Sequence, residues 1–243
     1  MRPNRLAVVI PAYDESRRLG DTLTRIFDYL ERRGGTFEVV VVDDGSRDGT
    51  AAVAERFAAR GGRVIRLPVN RGKGAAVREG ILSSSAETIL VSDADLSTPI
   101  EELERLEPAL ARSPLVLGSR ASAESRIERH QPWYRELAGK VFNLLVRASG
   151  VRGIRDTQCG FKLLAGDVAR GLAADLTIER FAWDVELVWL AQRRGYRVEE
   201  VGVAWRNDPA SKVRFARDSL RMACDLARIR WRHRGERSGA GSE

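Results

Sequence analysis

An α/β fold with a mainly parallel central sheet flanked by helices is the architecture this sequence predicts. Short apolar runs alternate with helical patterns from residue 6 to about residue 118, and such alternation builds βαβ units and a parallel sheet. Two of these runs end abruptly in acid, at Asp43-Asp44-Gly45-Ser46 and at Asp93-Ala94-Asp95. Open parallel sheets bind ligands at the carboxyl ends of their strands, so two acidic endings imply one cleft fed by two strands. The 43% hydrophobic content of 243 residues supplies a sizeable core, enough for one large domain.

The expected strands occupy residues 6–10, 37–42, 63–67, 88–91 and 115–117. Between the first two, Leu19, Leu23, Ile26, Phe27 and Leu30 fall on one face at helical spacing. Between the second and third, Asp48 is placed to cap an alanine-rich helix over residues 50–60. The second half is less regular. Residues 120–135 are polar and arginine-rich, which predicts a mobile loop leading into a helix over 135–148. Helical periodicity returns over 183–194, followed by an extended run over 196–205 and a final helix over 214–234. That helix is amphipathic: Phe215, Met222, Leu226 and Ile229 share one face, while Arg214, Arg217, Arg221, Arg228 and Arg232 lie away from it. Such a helix either lies on an anionic membrane or packs its apolar stripe on the core. The composition of residues 235–243 predicts a disordered tail, and no internal repeat is visible.

A net charge of +7 favours anionic partners such as nucleotides or phospholipid surfaces. Nucleic acid is disfavoured, because single-strand binding needs aromatics interleaved with basic residues and aromatics here are 7% and scattered. The two cysteines, Cys159 and Cys224, are too few for a disulfide framework, which fits a reducing compartment. The N-terminal apolar run is too short for a signal peptide and no run approaches the ~18 residues of a membrane span. A cytoplasmic chain, either soluble or peripheral on a membrane face, is therefore expected.

Four segments carry candidate chemistry. In Pro11-Ala12-Tyr13-Asp14-Glu15, Tyr13 can bracket a base and Glu15 can accept a hydrogen bond from it; an ordinary loop is the alternative. Asp43-Asp44-Gly45-Ser46 is equally compatible with simple turn chemistry. Asn70-Arg71-Gly72-Lys73-Gly74 can cradle phosphate, with Lys73 as a point charge and a helix N-terminus behind it. Its glycines fit neither the dinucleotide fingerprint nor the P-loop, and a simple glycine turn that starts a helix is the alternative. Asp93 and Asp95 leave a strand at alternate positions, which suits a hard cation such as Mg²⁺ or Mn²⁺ completed by phosphate oxygens, with a solvated pair on a loop as the alternative.

These segments, with Gly118-Ser119-Arg120, come in the order and spacing of the family 2 glycosyltransferases of GT-A fold, which the chain resembles over residues 6–230. Further along, Asp156-Thr157-Gln158-Cys159-Gly160-Phe161-Lys162, Glu179-Arg180-Phe181-Ala182-Trp183-Asp184-Val185-Glu186-Leu187 and Ser211-Lys212 resemble the subgroup acting on polyprenyl phosphates, most of all the dolichyl-phosphate β-glucosyltransferases. The resemblance implies a nucleotide-binding half over 1–118 and an acceptor-binding half over 119–234. It implies that Pro11, Tyr13, Glu15 and Asp43 hold the nucleoside, that Asp93 lies near ribose and metal, and that Asp95 ligates the metal. Lys212 and Lys73 would meet the donor diphosphate. Arg120 and Arg135 would take the acceptor phosphate, and Asp156 joins Asp93 and Asp95 as a catalytic candidate, although Asp156, Asp184 and Glu186 are equally open to binding sugar hydroxyls, supplying a base, or capping and pairing within the fold. Two departures stand out: Asp14 replaces an asparagine, and Ser97 replaces the glutamine metal ligand of mannosyl-transferring relatives. The implied reaction is inverting transfer of a hexose, foremost glucose from UDP-glucose, to a polyprenyl phosphate. GDP-mannose as donor, or a soluble or polysaccharide acceptor, is the alternative.

Overall fold

The computed structural model describes residues 5–129, 142–206 and 215–234, with the backbone alone at 129 and 215–220. Seven strands form one sheet: β1 (Leu6–Ala12), β2 (Phe37–Asp43), β3 (Gly62–Arg66), β4 (Thr88–Val91), β5 (Leu115–Ser119), β7 (Lys162–Ala165) and β8 (Val198–Gly202), in the order β3-β2-β1-β4-β7-β5-β8. All neighbours run parallel except β7, which is antiparallel to both β4 and β5. A strand from beyond residue 118 thus sits inside the sheet, and the two expected halves share it. A small second sheet pairs β6 (Arg126–Arg129) with β9 (Ala204–Arg206).

The central strands are buried on both faces, which explains their unbroken apolar runs. Leu6, Val8 and Ile10 of β1 face one core with α1 (Leu19–Arg33) and α4 (Leu103–Leu110). Ala7 and Val9 face the other with α3 (Lys73–Leu82), helical residues 142–148 (α5), α6 (Gly166–Asp175), α7 (Trp183–Arg193) and α8 (Phe215–Arg232). The expected face of α1 is the buried one, from Leu19 through Leu30. On α8, Met222, Leu226 and Ile229 pack into the core. Of the two fates open to this helix's apolar stripe, core packing is the one realised by these three residues; Phe215 and Arg217 are described by backbone alone, and Arg214 lies outside the described residues.

Three expectations change. Residues 126–129 form β6 rather than loop, because Arg126 N–H donates to the Val203 carbonyl at 3.1 Å and pairing with β9 follows. The helix expected over 50–60 is short: α2 (Thr50–Glu55) gives way to a single 3-10 turn (Ala58–Arg60). Gly49, at φ 84°, holds its N-cap position, and Asp48 acts from one residue earlier by accepting the Thr50 N–H at 3.1 Å. The extended run over 196–205 is two strands in two sheets, β8 and β9. The tail at 235–243 lies outside the described residues, as do 130–141 and 207–214. Among the described residues no helix is long and apolar enough to cross a membrane.

Candidate active site

The carboxyl ends of β1, β2 and β4 meet in register, with Ala12 beside Asp43 and Val9 beside Val91. Side chains knit the loops that follow. Asp14 N–H donates to Ser46 Oγ at 2.9 Å and Asp14 Oδ1 accepts the Arg47 N–H at 2.8 Å. Asp14 itself sits at φ 51°, a left-handed conformation that asparagine and aspartate tolerate best among non-glycine residues. Glu15 N–H donates to Thr50 Oγ1 at 2.7 Å. Asp43 Oδ1 accepts the Ser46 N–H at 2.9 Å, closing the turn after β2. Tyr13 is 36% exposed.

The phosphate-cradle expectation for residues 70–74 is narrowed by a residue the sequence did not single out. Asp44 accepts the backbone N–H groups of Arg71 and Gly72, both at 2.8 Å. An internal carboxylate thus occupies the anion position of that backbone nest. Burial raises the Asp44 pKa despite those two bonds. The Ala75 N–H is taken by the Glu179 carbonyl at 3.0 Å. Gly72, at φ 118°, and Gly74 lie so close to the backbone of residues 178–180 that a Cβ on either would collide with it. These glycines therefore serve close packing of protein on protein, and Lys73 is what the loop presents to the cleft.

Lys73 Nζ lies 2.5 Å from Asp93 Oδ1, with 25% of the lysine and 33% of the aspartate side chain open to the cleft. Burial opposes ionisation of Asp93, but Lys73, then Lys162 and Arg120, hold its pKa below the ordinary value. Asp95 behaves oppositely: burial first, then the charge of Asp93, raises its pKa. Asp95 Oδ1 accepts the Ser97 N–H at 2.9 Å, and Arg18 NH1 is 4.0 Å from Oδ2. Arg18, also absent from the sequence reading, forms a two-bond pair with Glu15. Leu96 between Asp95 and Ser97 adopts φ 45°, a strained state costing about 1–2 kcal/mol for a side chain of this kind. Strain at that point turns the chain so that both acids border one space.

Beneath them runs the 156–162 segment. A Cβ at Gly160 would overlap the Asp93 carboxylate, so only glycine lets the backbone pass there. Arg120 grips Asp156 through Nε to Oδ2 at 2.7 Å and NH2 to Oδ1 at 2.8 Å, and its own backbone N–H adds a third bond at 2.9 Å. Burial would raise the Asp156 pKa, but Arg120 holds it at about 2. With both oxygens engaged, Asp156 is poorly suited to act as a base; it orients Arg120, which keeps three N–H donors for another anion. Lys162 is fully buried in β7, where burial pushes its ammonium pKa down. Its Nζ donates to the Cys159 carbonyl and sits 5.2 Å from the Trp183 ring centre. Glu186, fully buried, accepts from Thr177 and Ile178 N–H at 2.9 and 2.8 Å and from Thr177 Oγ1 at 2.6 Å. Its role is to hold the 177–178 backbone.

Asp184 is raised from 3.8 to about 6 by burial, against the fields of Lys162 and Lys73. A carboxyl raised on folding stabilises the protein while protonated, fully below pH ~4, and loses that contribution as pH climbs through ~6. Scanning calorimetry across this window should show wild type losing up to about 3 kcal/mol relative to Asp184→Asn. Identical pH slopes for the two proteins would remove Asp184 as the source.

Among the described residues no three or more His, Cys, Asp or Glu side chains gather as a cation site. Asp93 and Asp95 nevertheless suit Mg²⁺ or Mn²⁺, which take one or two carboxylates and complete their shell with water and substrate phosphate. The geometry of Asp95 supports the fit: Oδ1 is held by the Ser97 N–H while Oδ2 lies 4.0 Å from the Arg18 guanidinium, so the carboxylate is fixed in place and turned towards positive charge. Lys212 and Arg135 lie outside the described residues.

The sequence profile of Glycosyl transferase family 2 matches residues 7–171. The chain belongs to that family. Dolichyl-phosphate β-glucosyltransferases of Mus musculus and Saccharomyces cerevisiae are 41% and 36% identical to this family member over 94% and 93% of its length, covering 75% and 74% of theirs. Among solved structures, glucosyl-3-phosphoglycerate synthase of Mycobacterium tuberculosis in complex with UDP aligns with TM-score 0.68 at 18% identity over 97% of this chain and 82% of that one. Mannosyl-3-phosphoglycerate synthase of Rubrobacter xylanophilus gives 0.68 at 18% identity over 98% and 77%. These establish the GT-A fold. The same Mycobacterium enzyme has been solved with Mn²⁺ and UDP-glucose. As a family 2 glycosyltransferase, the protein is an enzyme that transfers a hexose.

Proposed function

We propose that the protein moves glucose from UDP-glucose, with inversion at the anomeric carbon, onto a dolichyl-type polyprenyl phosphate at a membrane surface. The observation that carries this reading is the 41% identity, along 94% of the chain, to a mouse enzyme named for that acceptor and sugar. The cleft supports it chemically. Pro11, Tyr13, Glu15 and Asp43 would hold the nucleoside and Lys73 would meet the donor diphosphate, a role the family resemblance also gives Lys212. Asp95, with Asp93 beside it, would hold a divalent metal, which supplies Lewis-acid stabilisation of the departing diphosphate.

A phosphate monoester has a second pKa near 6, so it is largely dianionic at neutral pH and already nucleophilic. No general base is needed, which agrees with an Asp156 held at about 2. The task left is to bring two anions together. Arg120, oriented by Asp156 and lying 5.4 Å from the Trp205 ring centre, offers its remaining donors to the acceptor phosphate, to which the family resemblance also assigns Arg135. Incubation with Mg²⁺ or Mn²⁺, a panel of sugar nucleotides and a short polyprenyl phosphate tests the proposal by nucleotide diphosphate release. UDP-glucose should give a β-linked lipid product; preference for GDP-mannose, or an α-linked product, would overturn it.

A further inference from the structure

A cavity of about 570 Å³ runs between α8 and residues 177–180. Its walls are strongly basic. Arg180 enters from the loop, while Arg221, Arg228 and Arg232 line it from α8. Spaced seven and four residues apart, these three form one stripe that spans about 16 Å of helix axis. Two acids also border the cavity, but both are committed: Asp225 to Arg228 at 2.9 Å and Glu179 to Arg71 at 2.5 Å. Guanidinium groups repel one another around an open space unless an anion joins them, and their planar donor forks match phosphate oxygens.

We infer that this groove is a second phosphate-binding site, one that seats a phosphate-bearing headgroup apart from the reacting substrates. Trp231, 65% exposed on the outer face of the same helix, is the residue type that settles at a lipid–water boundary, so an anionic phospholipid is the first source to test. A free phosphate is the second. Neither depends on the glycosyl-transfer reading, and the test uses no activity measurement.

Cys224 makes the site observable, since it lines the groove and is exposed while Cys159 is buried. Alkylation of Cys224 in the native protein by the neutral reagent N-ethylmaleimide should slow in the presence of phosphatidylcholine vesicles that carry phosphatidylglycerol, and not with phosphatidylcholine alone. In Arg221→Gln/Arg232→Gln, with unchanged Tm, the vesicle concentration for half-protection should rise about thirtyfold. Protection by millimolar inorganic phosphate, lost in the same variant and without any vesicle effect, assigns the site to a soluble phosphate. If neither agent protects Cys224, or the double variant is protected as well as wild type, the inference fails.

Discussion

Replacing Asp95 by alanine should lower turnover by about a thousandfold or more while the protein stays folded, as read from nucleotide diphosphate release and circular dichroism. The expected loss follows from charge. A departing nucleotide diphosphate gathers negative charge at the transition state, and in the proposed arrangement Asp95 fixes the cation that meets it. Fold stability runs the other way. Burial and the neighbouring Asp93 already raise the Asp95 pKa, so its ionised form at neutral pH costs stability, and the alanine variant should melt at the wild-type temperature or slightly above it. A variant with wild-type turnover would remove Asp95 from the metal site. One that unfolds would instead show that the Ser97 bond matters more than the buried charge.

Glu186→Ala should destabilise the protein by about 3–5 kcal/mol and lower its Tm by roughly 10 °C, measured by thermal unfolding. Three donors from Thr177 and Ile178 converge on this carboxylate, and His233 Nε2 approaches Oε1 at 2.7 Å. The alanine would strand the buried Ile178 N–H and the half-buried Thr177 N–H and loosen the far end of α8. Because residues 178–180 press on Gly72 and Gly74, the position of Lys73 should relax too. Nucleotide affinity is therefore expected to weaken in parallel with stability. A shift of less than about 1 kcal/mol would mean that water replaces Glu186.

The strands that carry the cleft were legible because β1, β2 and β4 are continuous apolar runs terminated by proline or acid. Asp43, Asp93 and Lys73 stood out for the same reason: each interrupts a hydrophobic or glycine-rich stretch at a strand or helix boundary. The four-residue β7 did not stand out, since Lys162 breaks its apolar pattern and is accommodated by the Cys159 carbonyl, the field of Asp184 and the Trp183 ring, none of them adjacent strand residues. β6 was invisible because its exposed residues Arg126–Glu128 resemble loop, and only pairing with β9, some 78 residues later in register, makes them a strand. Asp44 and Arg18 were missed because their partners, Gly72 and Asp95, lie far along the chain. Glu186 was noticed but not interpreted: α7 is buried on nearly every side, so helical phase could not tell a functional acid from a structural one. The amphipathic pattern of α8 left its environment open, and burial of Met222, Leu226 and Ile229 settled it.

The antiparallel β7 also constrains how the polypeptide assembles during synthesis. A nascent chain that has emerged through residue 118 can pair β3, β2, β1 and β4, but β4 and β5 do not touch each other and both await β7. Each then exposes a row of unpaired backbone groups beside apolar side chains, a template for association with other chains. Closure requires some 45 further residues to leave the ribosome and insert a strand between two waiting edges, a nonlocal step of the slow kind. The insertion that completes the sheet also brings Gly160 beneath Asp93, so the catalytic floor forms when the last central strand locks into place.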